Sequence, residues 1–115
     1  MTDTTLPAAH KTPAECQDMS DVRAQIDRLD QVLVAAIAER FGYVERAWEI
    51  KLLDDQPANV PWRNQQVIDK VRARAEEQGL PPDLAEALWR QMIGWFIQYE
   101  ERKLDESKGR QDGAS

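Results

Sequence analysis

Apolar residues recur at helical spacing from Val22 onward: Val22, Ile26, Leu29, Leu33 and Ile37, then Val44 and Ala47. Steps of three or four residues keep such side chains on one face of an α-helix. The stretch Ser20–Leu53 has no Pro and only Gly42 as a break, and it is rich in Ala, Leu, Arg, Glu and Gln, the better helix formers. It predicts one helix of about 30 residues, on the order of 45 Å long. Ser20 suits the N-cap, with Asp21 well placed in the first turn. A helix of that length exceeds the width of a small domain. Two shorter helices of the same chain cannot cover its whole stripe, so the pattern predicts a partner chain.

The pattern then breaks at Asp54–Asn59 (DDQPAN), a polar loop interrupted by Pro57. Pro61 suits the first turn of a second helix that stops near Gly79. Its apolar face is Val67, Val71 and Ala75, with Ile68 alongside, and Arg63 lies on the line of Val67 and Val71. Leu80–Asp83 is a short connection whose Pro82 opens a third helix, from Leu84 to about Lys103. That helix is apolar nearly all round (Leu84, Leu88, Trp89, Met92, Ile93, Trp95, Phe96, Ile97, Tyr99) and belongs in the middle of an assembly. Glu100 continues the line Trp89, Ile93, Phe96. Residues 1–15, polar and broken by Pro7 and Pro13, read as a mobile arm. Residues 16–106 form the helical domain, and 107–115 (SKGRQDGAS) read as a disordered tail. The expected class is all-α, with three helices in each chain.

Charge and composition narrow the function. A chain of 115 residues supports one domain with a modest core. With 21 acidic against 15 basic side chains, a net charge of −6 and no basic block, it does not read as a nucleic-acid binder. No run approaches the ~20 apolar residues of a membrane span. Residues 1–19 lack the cationic start and apolar run of a secretory signal. The single Cys16 allows neither an internal disulfide nor a cysteine metal cluster, which points to a reducing cytoplasm. His10 reads as a solvated tail residue. Nothing in the chain calls for a metal or cofactor.

The candidate chemistry lies in cations that sit on or beside apolar stripes. Arg40 and Lys51 continue the register of the first helix; their eleven-residue step returns to within about 20° of one direction. A buried guanidinium must meet carboxylates. Asp27, Asp30 and Glu39 could supply them, and so could a ligand with two carboxylates. Arg23 and Arg40 are about 25 Å apart along one helix, too far for one small ligand. If both touch it, Arg23 must come from a second, antiparallel chain. Arg40 and Lys51, ~16 Å apart at the backbone, can converge through their long side chains. Arg28, Arg46, Arg72, Arg74 and Arg90 read instead as solvated or rim-paired.

The order Arg23, Arg40, Lys51, Arg63, followed by a polar residue at Glu100, resembles the all-helical class of chorismate mutases. DVRAQIDRLDQVLVAAIAER is similar to the long first helix of that family, and the likeness covers roughly residues 11–105. KTPAEC (Lys11–Cys16) and WFI (Trp95–Ile97) look like the related isochorismate pyruvate-lyases, which form salicylate. The resemblance implies an intertwined homodimer with two equivalent sites and no cofactor. In each, Arg23 of one chain and Arg40 and Arg63 of the other would bind the substrate carboxylates. Lys51 and Glu100 would address the ether oxygen, and Asn64 would meet the ring hydroxyl. Family members usually carry Gln where this chain has Glu100, and many carry Glu at the position of Asn64. An acidic loop residue is replaced here by Val60, and a polar position of the third helix by Phe96.

A pericyclic rearrangement needs no nucleophile. What helps is to hold a flexible dianion in its compact conformer and to stabilise charge building on the ether oxygen. Forked Arg–carboxylate pairs serve the first purpose. A fixed ammonium and a protonated Glu100 serve the second; apolar neighbours favour the protonated acid, and nearby cations oppose it. Two other readings stay open. One keeps the site but acts on isochorismate, releasing pyruvate. The other is a non-enzymatic helical dimer serving as an interaction module.

Overall fold

The computed structural model describes residues 10–113. Expectations for residues 1–9 and 114–115 fall outside them. Among the described residues there is no β-strand; the order is a 3-10 turn, Pro13–Glu15, then α1 (Met19–Leu53), α2 (Pro61–Gln78) and α3 (Pro82–Gly113). The all-helical class and the count of three helices therefore hold. None of the helices is long and apolar enough to cross a membrane. The chain divides into two compact units at a boundary between Gly42 and Tyr43, within the span of α1.

In the first unit the start of α1 is fixed by side chains rather than by packing. Asp18, not Ser20, caps the helix: its Oδ1 accepts from the Asp21 amide at 2.9 Å, and the Val22 amide bonds to the Asp18 carbonyl. Asp18 sits three residues before Asp21, the reach an N-cap acceptor requires, whereas Ser20 is already inside the first turn. Asp21 in turn accepts from the Gln17 amide at 2.9 Å and pairs with Lys11 Nζ at 3.2 Å. The Thr12 amide donates to Glu15 Oε1 at 2.8 Å. Residues 11–15, expected as part of a mobile arm, are thus tied to the helix start. The stripe of α1 is uncovered in this chain: Ile26, Leu29, Leu33 and Ile37 are 44–56% exposed, and no residue of α1 is buried.

The second unit holds a small core, with Ala58, Ile68, Ala75, Ala85 and Leu104 buried. α2 and α3 are antiparallel. Arg72, late in α2, pairs with Asp83 and Glu86 at the start of α3, while Asn64, Gln65 and Ile68 face Ile93 and Ile97 across one cavity. α2 ends as expected at Gly79, whose φ of 75° is open to glycine without strain and lets the Leu80 amide reach the Ala75 carbonyl at 2.8 Å. α3 continues ten residues past the expected end at Lys103. Residues 107–113, read from composition as a disordered tail, extend it in helical form. Charged side chains sustain that extension: Arg110 reaches Glu106 one turn back at 3.8 Å, and Lys108 reaches Asp55 at 3.5 Å.

Candidate active site

Lys51 and Glu100 meet in the second unit. Lys51 Nζ donates to Glu100 Oε2 at 2.9 Å and to the Ala58 carbonyl, also at 2.9 Å. The Lys51 side chain is 18% exposed and that of Glu100 8%. Both elements that carry them follow from local sequence. α1 ends in a tight cap: the Gln56 amide bonds to the Lys51 carbonyl at 2.8 Å, with Asp55 between them in the left-handed region (φ 55°). Asp tolerates that conformation better than most residues. The cap turns the chain back so that the Ala58 carbonyl faces the lysine ammonium. Lys51 is therefore held at both ends, by its own carbonyl and by its side chain.

Next to this pair lies a second polar tie between the same two helices. The Tyr99 hydroxyl donates to Glu45 Oε1, which also accepts from Trp48 Nε1 at 3.3 Å. The Tyr99 ring stacks on Trp95, 5.5 Å between centroids and 10° between planes, and Arg102 and Lys103 each lie 5.6 Å from its centre. The bond to the Glu45 carboxylate, together with partial burial, pushes the Tyr99 phenol above its ordinary pKa. The contacts Glu45–Tyr99 and Lys51–Glu100, and Asp55–Lys108 just past the end of α1, advance together along the chain, so α1 and α3 run in the same direction here.

A cavity of about 370 Å³ opens beside α2 and α3, lined by Asn59, Asn64, Gln65, Arg90, Ile93 and Ile97 among others. Lys51 and Glu100 do not line it, but their neighbours do: Asn59 follows Ala58, and Ile97 precedes Glu100 by one turn on the same helix face. The Asn64 side-chain amide donates to Asn59 Oδ1 at 2.8 Å. A space of that size suits a small molecule.

The other expected site residues are placed as follows. Arg63 is exposed and donates to Gln66 Oε1 at 2.6 Å, so in this chain it does not point with the apolar face. The face that α2 buries runs through Ile68 and Ala75, and Arg63, five residues before Ile68, lies ~140° round the helix from it. Arg23 is exposed and Arg40 half-buried, both in the first unit. Of the six expected residues, the second unit brings Lys51 and Glu100 together and sets Asn64 at the adjacent cavity. Phe96 is half-buried and edge-on to Trp95. Val60 is half-buried just before α2. Among the described residues no group of His, Cys, Asp or Glu is arranged to hold a metal.

Sequence reasoning missed three features. The Ala58 carbonyl leaves no trace in side-chain pattern. Glu45 sits among exposed-looking polar positions, and only its spacing from Trp48 hinted at a shared face. Arg90 forms the expected rim pair, with Nε donating to Glu86 Oε2 at 2.6 Å, yet it also borders the cavity.

Residues 22–101 match the model of the family described as chorismate mutase type II. An isochorismate pyruvate lyase from Pseudomonas aeruginosa is 31% identical over 99 residues, covering 86% of this chain and 97% of the lyase. A chorismate mutase from Methanocaldococcus jannaschii is 22% identical over 94 residues, covering 82% of this chain and 95% of the mutase. The T-protein of Enterobacter agglomerans is 33% identical over 76 residues; the match takes in 66% of this chain and only 20% of that longer protein. A three-helix chain with a lysine–glutamate pair at its third helix is thus matched in sequence over most of its length. The chain belongs to the chorismate mutase type II family.

Proposed function

We propose that this chain is a chorismate mutase, converting chorismate to prephenate as in aromatic amino-acid biosynthesis, and that it works as a homodimer with two equivalent sites in the cytoplasm. The observation that carries the reading is the Lys51–Glu100 pair, shielded from water and seated against a backbone carbonyl, within a member of this family.

The reaction breaks one C–O bond and forms one C–C bond within a single molecule, so the protein must supply shape and charge. Arg40 and Arg63 of one protomer and Arg23 of the other are the proposed carboxylate ligands, with Arg63 leaving Gln66 to do so. As the C–O bond opens, negative charge grows on the ether oxygen. Lys51 has an ammonium already fixed within reach of Glu100, and a proton on Glu100 converts that acceptor into a second donor. Asn64 at the cavity rim is the proposed partner of the ring hydroxyl. No cofactor or metal is called for.

The dimer rests on the uncovered stripe of α1. Four large aliphatic side chains, each about half exposed along one helix face, form a surface that water does not favour. α3 carries a matching exposed line of Leu84, Leu88 and Trp95. A second copy covers both.

A second reading is isochorismate pyruvate lyase, with salicylate and pyruvate as products; the specific observation in its favour is the Pseudomonas relative matched over 97% of its length. Parallel incubation with chorismate and with isochorismate, followed by product identification, separates the two. Arg40→Ala is the control and should abolish turnover. No turnover of either substrate, with no binding of a bicyclic dicarboxylate mimic of the transition state, would leave a non-enzymatic helical module.

A further inference from the structure

The Lys51–Glu100 pair must open or change its protonation during the proposed cycle, because the ammonium that serves the substrate is the one now bonded to Glu100. While it is engaged elsewhere, something else has to keep the end of α1 in place against α3. The hydrophobic core does this only in part: the fully buried residues of the second unit lie in the loop, α2 and α3, while Val44, Ala47, Trp48 and Leu52 of α1 are half-buried. Side-chain polar bonds remain: beside the ion pair itself, Asp55–Lys108 lies just past the end of α1 and is exposed, and Tyr99–Glu45 is the part-buried one within the α1 helix.

We propose that Tyr99, acting through Glu45, is a positioning residue that holds Lys51 and Glu100 in register while their mutual bond is broken. The inference rests on the proposed activity. Four observations support it. Tyr99 is the residue immediately before Glu100, so its anchoring fixes the rotation of α3 at that point. Glu45 lies six residues before Lys51, about 9 Å along α1, near enough for the constraint to carry through rigid helix. The carboxylate is shared with Trp48, which limits its rotamers. The phenol ring is gripped by Trp95 on one helix turn and by the Arg102 and Lys103 cations on the next. The hydroxyl is thereby aimed, and it faces an acceptor of full charge. The Glu45 bond holds the phenol above its ordinary pKa, so Tyr99 keeps the proton it donates at neutral pH.

The test compares Tyr99→Phe, Glu45→Leu and Glu45→Gln in the full-length protein. Phe keeps the ring stack and loses only the donor. Gln keeps an acceptor for the phenol. Expected results are a roughly tenfold lower kcat in Tyr99→Phe and Glu45→Leu with KM within about twofold, no further loss in the double variant, and recovery in Glu45→Gln. A second readout does not depend on turnover. Amide exchange at Gln56, which is bonded to the Lys51 carbonyl, should speed up in Tyr99→Phe relative to Leu80, whose bond to Ala75 caps α2. If Tyr99→Phe keeps kcat within twofold of wild type, or Glu45→Gln is as impaired as Glu45→Leu, the positioning role is wrong. If wild type turns over neither substrate, the functional reading falls, and Gln56 exchange alone decides whether Tyr99 still holds the end of α1.

Discussion

Replacing Lys51 with Met removes an ammonium and keeps most of the side-chain volume. Two charge-assisted hydrogen bonds of 2.9 Å disappear, one to Glu100 Oε2 and one to the Ala58 carbonyl. Such bonds contribute about 1.5–3 kcal/mol each, and the acid left behind is only 8% exposed. The expected loss of stability is about 3 kcal/mol, read as a lower urea midpoint with an unchanged slope. The catalytic loss is separate. Removing one donor to a developing oxyanion costs ~3–4 kcal/mol in the barrier, so kcat should fall by ~10²–10³. Adding Glu100→Gln to Lys51→Met distinguishes the two effects. Gln beside Met leaves no unpaired charge, so stability should recover by about half, while kcat, followed as loss of chorismate absorbance, stays low. A double variant that regains kcat to within about tenfold of wild type would mean that Lys51 only neutralises Glu100 and does not act on substrate.

Three further outcomes are expected. On the proposed mechanism Glu100 donates only when protonated, so wild-type kcat should fall as pH rises while Glu100→Gln, a permanent donor, gives a flatter profile; matching profiles would remove Glu100 as the donor. Bonds from Arg90 first, then Arg72, hold the Glu86 carboxyl below its ordinary pKa. A depressed carboxylate stabilises the fold above its unfolded value and loses that contribution as pH falls through the folded one. Urea unfolding from about pH 5 down to 3 should therefore show a shallower loss for Glu86→Gln than for wild type. Leu33→Arg places a charge on the exposed stripe of α1 and should yield a monomer by sedimentation velocity, with activity lost; a wild-type protein that is monomeric and fully active would overturn the shared site.

Where sequence and structure agree, the physics is local. Pro61, Gly79 and Pro82 mark helix boundaries because each imposes or permits a particular backbone angle regardless of distant contacts. The periodicity of Val22–Ile37 is equally local, and so α1 was legible almost to the residue, the cap excepted: Asp18 and Ser20 are both good capping types, and only the hydrogen bond to the Asp21 amide chooses between them. Residues 107–113 resemble a tail in composition because of Gly109 and the polar run, whereas α3 runs to Gly113 with the pairs Glu106–Arg110 and Asp55–Lys108 beside it. Register alone does not fix where Arg63 points in the single chain. It shares a line with Val67 and Val71, but α2 is turned so that Ile68 and Ala75 face inward, and that rotation is set by packing on α3. Lys51 and Glu100 stand out in the sequence because each continues an apolar stripe, where a charge without a partner is costly, and the structure pairs them.

That cost explains how one pair serves both fold and proposed chemistry. An ion pair this shielded adds little net stability over apolar residues of similar shape, since desolvation offsets most of the attraction. Its separate halves are another matter: each left alone would be an uncompensated charge. The pair is therefore cheap to keep closed and expensive to open unless a third charge enters. A dianion whose ether oxygen gains negative charge supplies that compensation to Lys51, and a proton supplies it to Glu100. Opening then depends on substrate rather than on thermal chance. On the positioning role proposed for Tyr99, an uncharged donor is the better fastener for α1: the hydroxyl bonded to Glu45 does not compete with Lys51 for the ligand's negative charge, so that bond stays closed while the ion pair exchanges partners.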